Sequence, residues 1–135
     1  MAVEEERPDF GATGGRVRGM TQWGWICTQP EHLTLGARTD IGAFTIIVAR
    51  HGVRIGDDVQ IGAGCCIYSL STIDGKRGAV VIEHGAKIGA HSVVMPGITI
   101  GAGAVIGAFS FVNRDIPPGQ VWWGVPARQR ALSAS

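Results

Sequence analysis

The sequence predicts an all-β solenoid, a stack of short parallel strands joined by turns. An aliphatic residue occurs every six positions and is usually followed by glycine, and the residue two positions before it is small or β-branched. A period of six fits neither the 3.6 of a helix nor the 2 of a plain strand, so each hexad is interpreted as a short strand plus a turn. The repeating positions are Ile55, Ile61, Ile67 and Ile73, then Ile82, Ile88, Val94, Ile100, Ile106 and Val112.

Length and composition restrict the class of protein. With 135 residues there is room for one domain with a narrow core, so oligomerisation is expected. The net charge of +1 gives no indication of nucleic-acid binding. No apolar run is long enough for a membrane span, and the acidic N-terminus does not resemble a signal peptide, which predicts a cytoplasmic protein. Three cysteines, Cys27, Cys65 and Cys66, lack metal-site spacing and are expected to be buried, reduced thiols.

The chain divides into three segments. Residues 1–19 are polar and without a period, and they are expected to form an extended arm. Residues 20–116 hold the repeats, which begin at Leu35, Ile41 and Ile47 and slip by two residues before Ile55. The 21 glycines follow the repeat and are interpreted as turn residues. A loop at 74–78 interrupts the pattern, and the pattern ends at 113–119, where two prolines cannot continue a central ladder. Residues 117–135 are predicted to be a short non-repeating C-terminal tail.

The repeat also predicts a groove. If three hexads close one triangular coil, residues 18 apart stack, and the hexads that begin at 49, 67, 88 and 106 share a face. Their third positions form a column of His51, Ser69, Ala90 and Ala108. Small side chains at Ala90 and Ala108 would leave backbone amides open to an extended ligand. The alternative is that alanine is simply what a tight corner tolerates.

Three motifs in order carry a family resemblance. They are the turn Met95-Pro96-Gly97, the exit from Asn113 to Pro118, and the segment from Gly124 to Arg128. Over residues 53–130 the chain resembles the hexapeptide-repeat acyltransferases of the galactoside and maltose acetyltransferase type. The resemblance implies a left-handed parallel β-helix, a homotrimer, and acetyl-CoA as co-substrate in clefts between subunits.

The resemblance also implies which residues bind the coenzyme. The pantetheine arm would pass Ala90 and Ala108. The nucleotide end would meet Asn113, Arg114 and Arg128, whose cationic side chains suit phosphates. Of the neighbouring tryptophans, Trp123 could cover the coenzyme while Trp122 closes the end of the hydrophobic column, or the reverse.

The acceptor side departs from the family pattern. The family's histidine base falls on Thr72 here, and an acidic position that binds the substrate hydroxyl falls on Arg50. An arginine there would suit an anionic acceptor such as a nucleotide-linked sugar. The candidate acceptor-binding residues are Arg50, His51, Ser69 and Thr72.

The absent histidine favours amine chemistry. A hydroxyl attacks a thioester poorly without a base, whose contribution is about 10²- to 10⁴-fold. A neutral amine attacks first and loses its proton afterwards. The sequence therefore predicts N-acetylation of an amino sugar, with O-acetylation as the alternative. The stretch IYSLSTIDGK also resembles transferases of cell-surface polysaccharide pathways.

Three residues are candidates to receive the proton. We expect His91 first, since it follows Ala90, then His84, with Asp74 able to orient or deprotonate the amine. The alternative for each histidine is a solvated turn residue. A γ-type carbonic anhydrase is a rival prediction, but its zinc-binding histidines are four apart and His84 and His91 are seven apart, so no metal is expected. A non-catalytic trimeric binding module is the other rival.

Overall fold

A computed structural model describes residues 7–10 and 19–131. Most of the predicted arm, residues 1–6 and 11–18, and the end of the predicted tail, residues 132–135, lie outside the described residues. The described chain is a parallel β-solenoid of about five turns with three sheets, so the predicted left-handed β-helix of hexapeptide repeats is confirmed. The helix among these residues, a single 3₁₀ turn at Pro30–His32, is too short to cross a membrane.

Each of the first four coils contributes one strand to each of the three sheets, and the last coil meets sheet 2 only through a bridge from Ile116 to Ile100. Sheet 1 contains β1 (Ile26–Thr28), β4 (Ile46–Val48), β7 (Cys66–Tyr68), β10 (Val93–Val94) and β13 (Phe111–Val112). Sheet 2 contains β2 (Leu33–Leu35), β5 (Val53–Ile55), β8 (Val80–Ile82) and β11 (Thr99–Ile100). Sheet 3 contains β3 (Asp40–Ile41), β6 (Gln60–Ile61), β9 (Lys87–Ile88), β12 (Val105–Ile106), β14 (Val121–Gly124) and β15 (Ala127–Ala131).

The coils differ in length, which corrects the predicted register. Ile67 pairs with Ile47, 20 positions earlier, and with Val94, 27 positions later; in this sheet the spacing of 18 is found between Val94 and Val112. The extra residues lie in the corner between sheet 1 and sheet 2, so the strands of successive coils stay aligned. Ile73, which the six-residue period assigned to the interior, lies in the longest insertion and is 98% exposed.

The glycines that follow the aliphatic positions are needed for close approach between coils. A Cβ on Gly62 would lie 2.6 Å from the amide nitrogen of Ala90 and 2.7 Å from its Cα. Gly56 lies equally close to the next coil, since a Cβ added there would be 2.8 Å from the His84 amide nitrogen. These glycines stand at the start of corners, as predicted, but they are required for close approach between coils and not for a positive φ.

A polar column inside one corner joins successive coils. The Thr45 hydroxyl donates to the Gly62 carbonyl, the Cys65 thiol to the Gly89 carbonyl, and the Ser92 hydroxyl to the Gly107 carbonyl. The predicted buried thiols are confirmed for Cys65 and for Cys27, where burial raises the pKa to about 12. Cys66 is only half-buried, because it lies on the outer surface of sheet 1.

Both ends of the described coil stack carry aromatic side chains. Phe10 packs edge-on against buried Trp25, with ring centroids 5.7 Å apart. At the other end the coil continues one strand beyond the sequence pattern, because Val121 pairs with Val105. β15 then returns antiparallel to β14, and Trp122 is buried at this end.

The outer surfaces of the three sheets differ in polarity. On sheet 1 one register column reads Ile26, Ile46, Cys66, Val93 and Phe111, all half-buried in the single chain. The corresponding column of sheet 2 is Thr34, Arg54, Val81 and Thr99, and that of sheet 3 begins Asp40, Gln60 and Lys87. Sheet 1 therefore carries an apolar column on its outer surface as well as on its inner one.

Candidate functional site

Three corners join the sheets, and every predicted site residue before the C-terminal strands lies on one of them. The alanine corner, from sheet 3 to sheet 1, contains Ala43, Ala63, Ala90 and Ala108, each with the residue after it. The loop corner, from sheet 1 to sheet 2, contains residues 49–52, 69–79, 95–97 and 113–115. The ionic corner, from sheet 2 to sheet 3, contains Arg38, Asp58, His84, Gly103 and Gly119.

The alanine corner contains the predicted groove. Ala90 lies directly over Ala63 and under Ala108, since the His91 amide donates to the Ala63 carbonyl and the Phe109 amide to the Ala90 carbonyl, both at 2.9 Å. None of the hydrogen bonds among the described residues uses the N–H of Ala63, Ala90 or Ala108. The stacking predicted for Ala90 and Ala108 is thus confirmed, and it exposes a row of free amide donors.

The other half of the predicted column is wrong. His51 and Ser69 lie at the loop corner, because the coils that contain them have 20 and 27 residues. The His51 amide donates to the Ser69 hydroxyl at 3.0 Å, and that hydroxyl donates to the Val48 carbonyl at 2.6 Å. Ser69 is fully buried, so its side chain holds the corner together and cannot contact an acceptor.

A protruding loop stands on the loop corner. It begins at Leu70, which forms an antiparallel bridge with Arg77, and the Ser71 amide donates to the Lys76 carbonyl. Thr72 and Asp74 are exposed on it, and Arg50 and half-buried His51 lie on the preceding coil. Four of the predicted acceptor-side residues are therefore on one corner.

The Asp74 carboxyl is held in its charged form. Its oxygen accepts from the Lys76 amide at 3.2 Å, and the Lys76 ammonium lies 3.8 Å away. Together with the Ser71 hydroxyl, these contacts lower the pKa of Asp74, the Lys76 amide contributing most. A carboxyl with a lowered pKa is a weak base, so this group is better suited to holding a cationic amine than to accepting its proton.

His84 lies beside the Arg38–Asp58 ion pair on the ionic corner. Its Nδ1 lies 3.7 Å from Asp58 Oδ2, and the Arg38 guanidinium binds Asp58 with two hydrogen bonds of 2.7 and 3.0 Å. The hydrogen bond from Arg38 is the main reason that the pKa of Asp58 is lowered. The three candidate proton acceptors, His91, His84 and Asp74, therefore lie on three different corners, and one chain does not bring them together.

The residues predicted for the nucleotide end lie near the C-terminal strands. Arg128 Nη1 donates to the Asn113 side-chain oxygen at 3.5 Å, so β15 and the loop corner meet there. Arg114 is exposed beside Asn113. Half-exposed Trp123 lies against Gly107, and the Arg130 guanidinium sits over its ring at 5.6 Å from the centroid. Trp123 and Arg130 therefore lie at one end of the alanine corner, while Arg128 contacts the loop corner at Asn113.

Sequence reasoning identified His91 but missed that its ring lies in a row with two exposed phenyl side chains. Phe44, His91 and Phe109 follow Ala43, Ala90 and Ala108, and all three have a φ near +60°. In the intervening coil the corresponding residue is Gly64. The sequence signal was a ring-bearing residue directly after the corner alanine in three of the four coils.

Two further observations concern other kinds of site. A cavity of about 910 Å³ lies at the N-terminal end, where Arg7, Phe10, Trp23 and Asp40 are among its lining residues, and it contains none of the predicted site residues. Within residues 7–10 and 19–131, no group of three or more His, Cys, Asp or Glu side chains is placed to hold a metal ion.

Known proteins share these repeats. Residues 79–114 match the family described as bacterial transferase hexapeptide (six repeats), and residues 33–69 match the hexapeptide repeat of succinyl-transferase. The galactoside O-acetyltransferase of Escherichia coli (strain K12) is 51% identical over 77% of this chain and 58% of its own length. The UDP-3-O-acylglucosamine N-acyltransferase of Caulobacter sp. (strain K31) is 33% identical over 88% of this chain and 37% of its own.

Solved structures share the fold. A hexapeptide-repeat containing acetyltransferase from Vibrio cholerae, complexed with acetyl coenzyme A, has a TM-score of 0.76 and 32% identity, covering 81% of this chain and 65% of that one. A second structure of this Vibrio cholerae acetyltransferase has a TM-score of 0.76 and 30% identity, covering 82% of this chain and 68% of that one. The chain spans about two fifths to three fifths of the two curated relatives named above. Repeat, fold and sequence together show that the chain belongs to the hexapeptide-repeat acyltransferase family.

Proposed function

We propose that this protein transfers an acetyl group from acetyl-CoA to the amino group of a sugar, most simply a nucleotide-linked amino sugar. The observation that carries the proposal is the row of unpaired amide donors along Ala63, Ala90 and Ala108, bordered by exposed His91. An extended amide-rich chain such as pantetheine can accept hydrogen bonds from such a row. The Vibrio cholerae relative complexed with acetyl coenzyme A supports the choice of donor.

The nucleotide end of the donor would lie toward the C-terminal strands. Arg128 and Arg114 supply positive charge where the coenzyme phosphates would be, and Asn113 fixes the Arg128 side chain. Guanidinium groups bind phosphate through paired N–H donors. Trp123 with Arg130 offers a flat surface for the adenine or the pantetheine.

The acceptor would bind at the loop corner. Arg50 is suited to an anionic group such as a sugar nucleotide phosphate, with His51 and Thr72 beside it. The Asp74 carboxylate, kept charged by its contacts with Lys76, would hold the acceptor amine. The relative named UDP-3-O-acylglucosamine N-acyltransferase supports an amino sugar as acceptor. Amino sugars of this kind are building blocks of cell-surface polysaccharides, which is the pathway we propose.

The reaction needs one proton acceptor. The amine nitrogen attacks the thioester carbonyl carbon, a C–N bond forms, and the C–S bond breaks to release the coenzyme thiol. The surplus proton of the nitrogen passes to His91, which returns it to the departing sulfur so that the coenzyme leaves as its thiol, and free amides at the corner can stabilise the oxyanion. His84 has no part in this proposal, because it lies on the ionic corner paired with Asp58.

Two copies of the chain are needed to complete the site. The alanine corner and the loop corner lie on opposite edges of sheet 1, whose outer surface is apolar. Packing this surface against neighbouring copies would bury it and bring the alanine corner of one copy to the loop corner of the next. In a closed ring of three copies, the homotrimer implied by the resemblance, every alanine corner meets the loop corner of a neighbouring copy.

A matched pair of variants tests this assembly. Val93→Glu places a charge on the outer surface of sheet 1, and Val81→Glu places the same charge on the outer surface of sheet 2, two strands earlier in the chain. Sedimentation should show a trimer for the wild type and Val81→Glu, and a monomer for Val93→Glu. A trimer for Val93→Glu would exclude sheet 1 as the interface.

The O-acetyltransferase alternative has one observation in its favour, the 51% identity with a galactoside O-acetyltransferase. Thiol release from acetyl-CoA separates the two reactions when it is measured with a panel of nucleotide-linked amino sugars and with the matching hydroxyl sugars. We expect turnover with the amino sugars only. Turnover confined to hydroxyl sugars would establish O-acetylation, and coenzyme release with no acceptor on the panel would contradict both.

A further inference from the structure

The His91 ring occupies an unusual place on the alanine corner. Its backbone has φ of 60°, a conformation that bulky residues rarely adopt, and Phe109 has the same φ one coil later. The two side chains stack, with ring centroids 5.2 Å apart and an interplanar angle of 18°. This spacing is close to the distance of about 4.8 Å between neighbouring strands, so the coil ladder itself sets the stack.

Gly64 provides the space for this ring on the other side. A Cβ at Gly64 would lie 2.5 Å from His91 Nδ1 and 2.6 Å from Cε1. Since real side chains cannot approach so closely, any other residue at position 64 would displace the imidazole. The ring is thus confined between the Gly64 backbone and the Phe109 side chain.

Packing alone holds this histidine. Neither ring nitrogen of His91 has a hydrogen-bond partner in the part of the chain that the structure describes, whereas His84 lies against Asp58. A proton acceptor needs a fixed ring with a nitrogen left free, and a stack between backbone and phenyl provides both. The left-handed backbone at Phe109, and its 68% exposed ring, are then the structural cost of that arrangement.

We propose that Gly64 and Phe109 are positioning residues that form a cradle for the His91 imidazole and keep its nitrogens available to the acceptor amine. The inference rests on the proposed function, in which His91 receives the amine proton. Neither residue needs to contact the substrate, because each acts through the orientation of the ring.

The chain offers a matched control for each residue. Phe44 has nearly the same φ, 65°, and is 71% exposed on the same corner, two coils before His91, so Phe44→Leu removes an equivalent phenyl outside the cradle. Gly103 has the same φ as Gly64, 69°, but nothing lies within 4 Å of its Cβ direction. Gly103→Ala therefore reproduces the backbone strain of Gly64→Ala without displacing a ring.

Proton NMR of the histidine rings tests the cradle independently of activity. A proton above the face of a phenyl ring is shifted upfield, so the His91 ring resonances should be upfield in the wild type. They should move downfield in Phe109→Leu and stay in place in Phe44→Leu. Identical His91 resonances in the wild type and Phe109→Leu would overturn the cradle, whether or not the protein is a transferase.

Kinetics test whether the cradle serves His91. We expect His91→Asn to lower kcat about 10²-fold, and Phe109→Leu and Gly64→Ala to lower it about tenfold with little change in the KM for acetyl-CoA. Phe109→Tyr, which keeps an aromatic ring at this position, should have the wild-type rate. The two controls, Phe44→Leu and Gly103→Ala, should also have the wild-type rate. In the His91→Asn background, Phe109→Leu should have no further effect.

The outcomes separate the two proposals. A full rate in His91→Asn, or the same tenfold loss from Phe109→Leu with and without His91, would overturn the positioning role while leaving the acetyltransferase function intact. No turnover by the wild type with any amino or hydroxyl acceptor would contradict the proposed function, and the NMR comparison would still decide whether the cradle exists.

Discussion

Replacing Gly62 by alanine should destabilise the fold far more than replacing a turn glycine. The added Cβ would lie 2.6 Å from the Ala90 nitrogen and 2.7 Å from its Cα. A normal contact is close to 3.5 Å or more, so the two coils must separate by about 1 Å. That movement stretches two ladder hydrogen bonds, from the Gly62 amide to the Ile88 carbonyl at 2.8 Å and from the His91 amide to the Ala63 carbonyl at 2.9 Å.

The magnitude follows from these contacts. Two weakened backbone hydrogen bonds cost about 2 kcal/mol together, and overpacking costs a further 1–3 kcal/mol or so, which gives about 3–5 kcal/mol. Gly103→Ala, whose Cβ meets no atom within 4 Å, should cost only about 1 kcal/mol for its left-handed backbone.

Urea denaturation followed by circular dichroism measures the difference. All variants should be compared at one protomer concentration, because the proposed assembly would make stability depend on concentration. A free energy of unfolding for Gly62→Ala within about 1 kcal/mol of the wild type, or above that of Gly103→Ala, would refute the close-approach reasoning.

Two further predictions concern charged side chains. Arg128→Gln should raise the Kd for coenzyme A about tenfold in isothermal titration calorimetry, since it removes a guanidinium from the proposed phosphate end, whereas Arg54→Gln on sheet 2 should leave the Kd unchanged. Because Arg38 lowers the pKa of Asp58, this pair contributes stability above the ordinary carboxyl range, near pH 4, and loses it as the pH falls through the lowered pKa. Urea midpoints measured between pH 6 and pH 2.5 should therefore fall less for Arg38→Met than for the wild type, and parallel curves would contradict the pairing.

The fold was predictable because the core is a simple column. Ile55, Ile61 and Ile67 each mark one side of a coil, and a buried aliphatic at every side can be recognised without knowing how the corners are built. The corners escaped prediction for the same reason. A corner can take two or nine extra residues without moving a strand, so a count of 18 placed His51 and Ser69 on the wrong corner.

The local role of single residues was harder to predict. Ile73 stands at a repeat position and is apolar, yet it lies in a loop, because spacing alone cannot distinguish a core residue from a loop residue of the same type. The Ala90 and Ala108 pair was found because their coils do have 18 residues between them. The place of His91 between Gly64 and Phe109 depends on a left-handed backbone that the hexad pattern does not encode.

The alanine corner as the coenzyme site is the central claim, and methyl NMR tests it most directly. In protein with ¹³C-labelled alanine methyl groups, titration with acetyl-CoA should shift the Ala90 and Ala108 resonances. Ala102, half-buried on the ionic corner, should stay unchanged and serves as the internal control. Saturable shifts confined to Ala90, Ala108 and their neighbours are the predicted result, and shifts at Ala102 with none at Ala90 and Ala108 would contradict the proposed site.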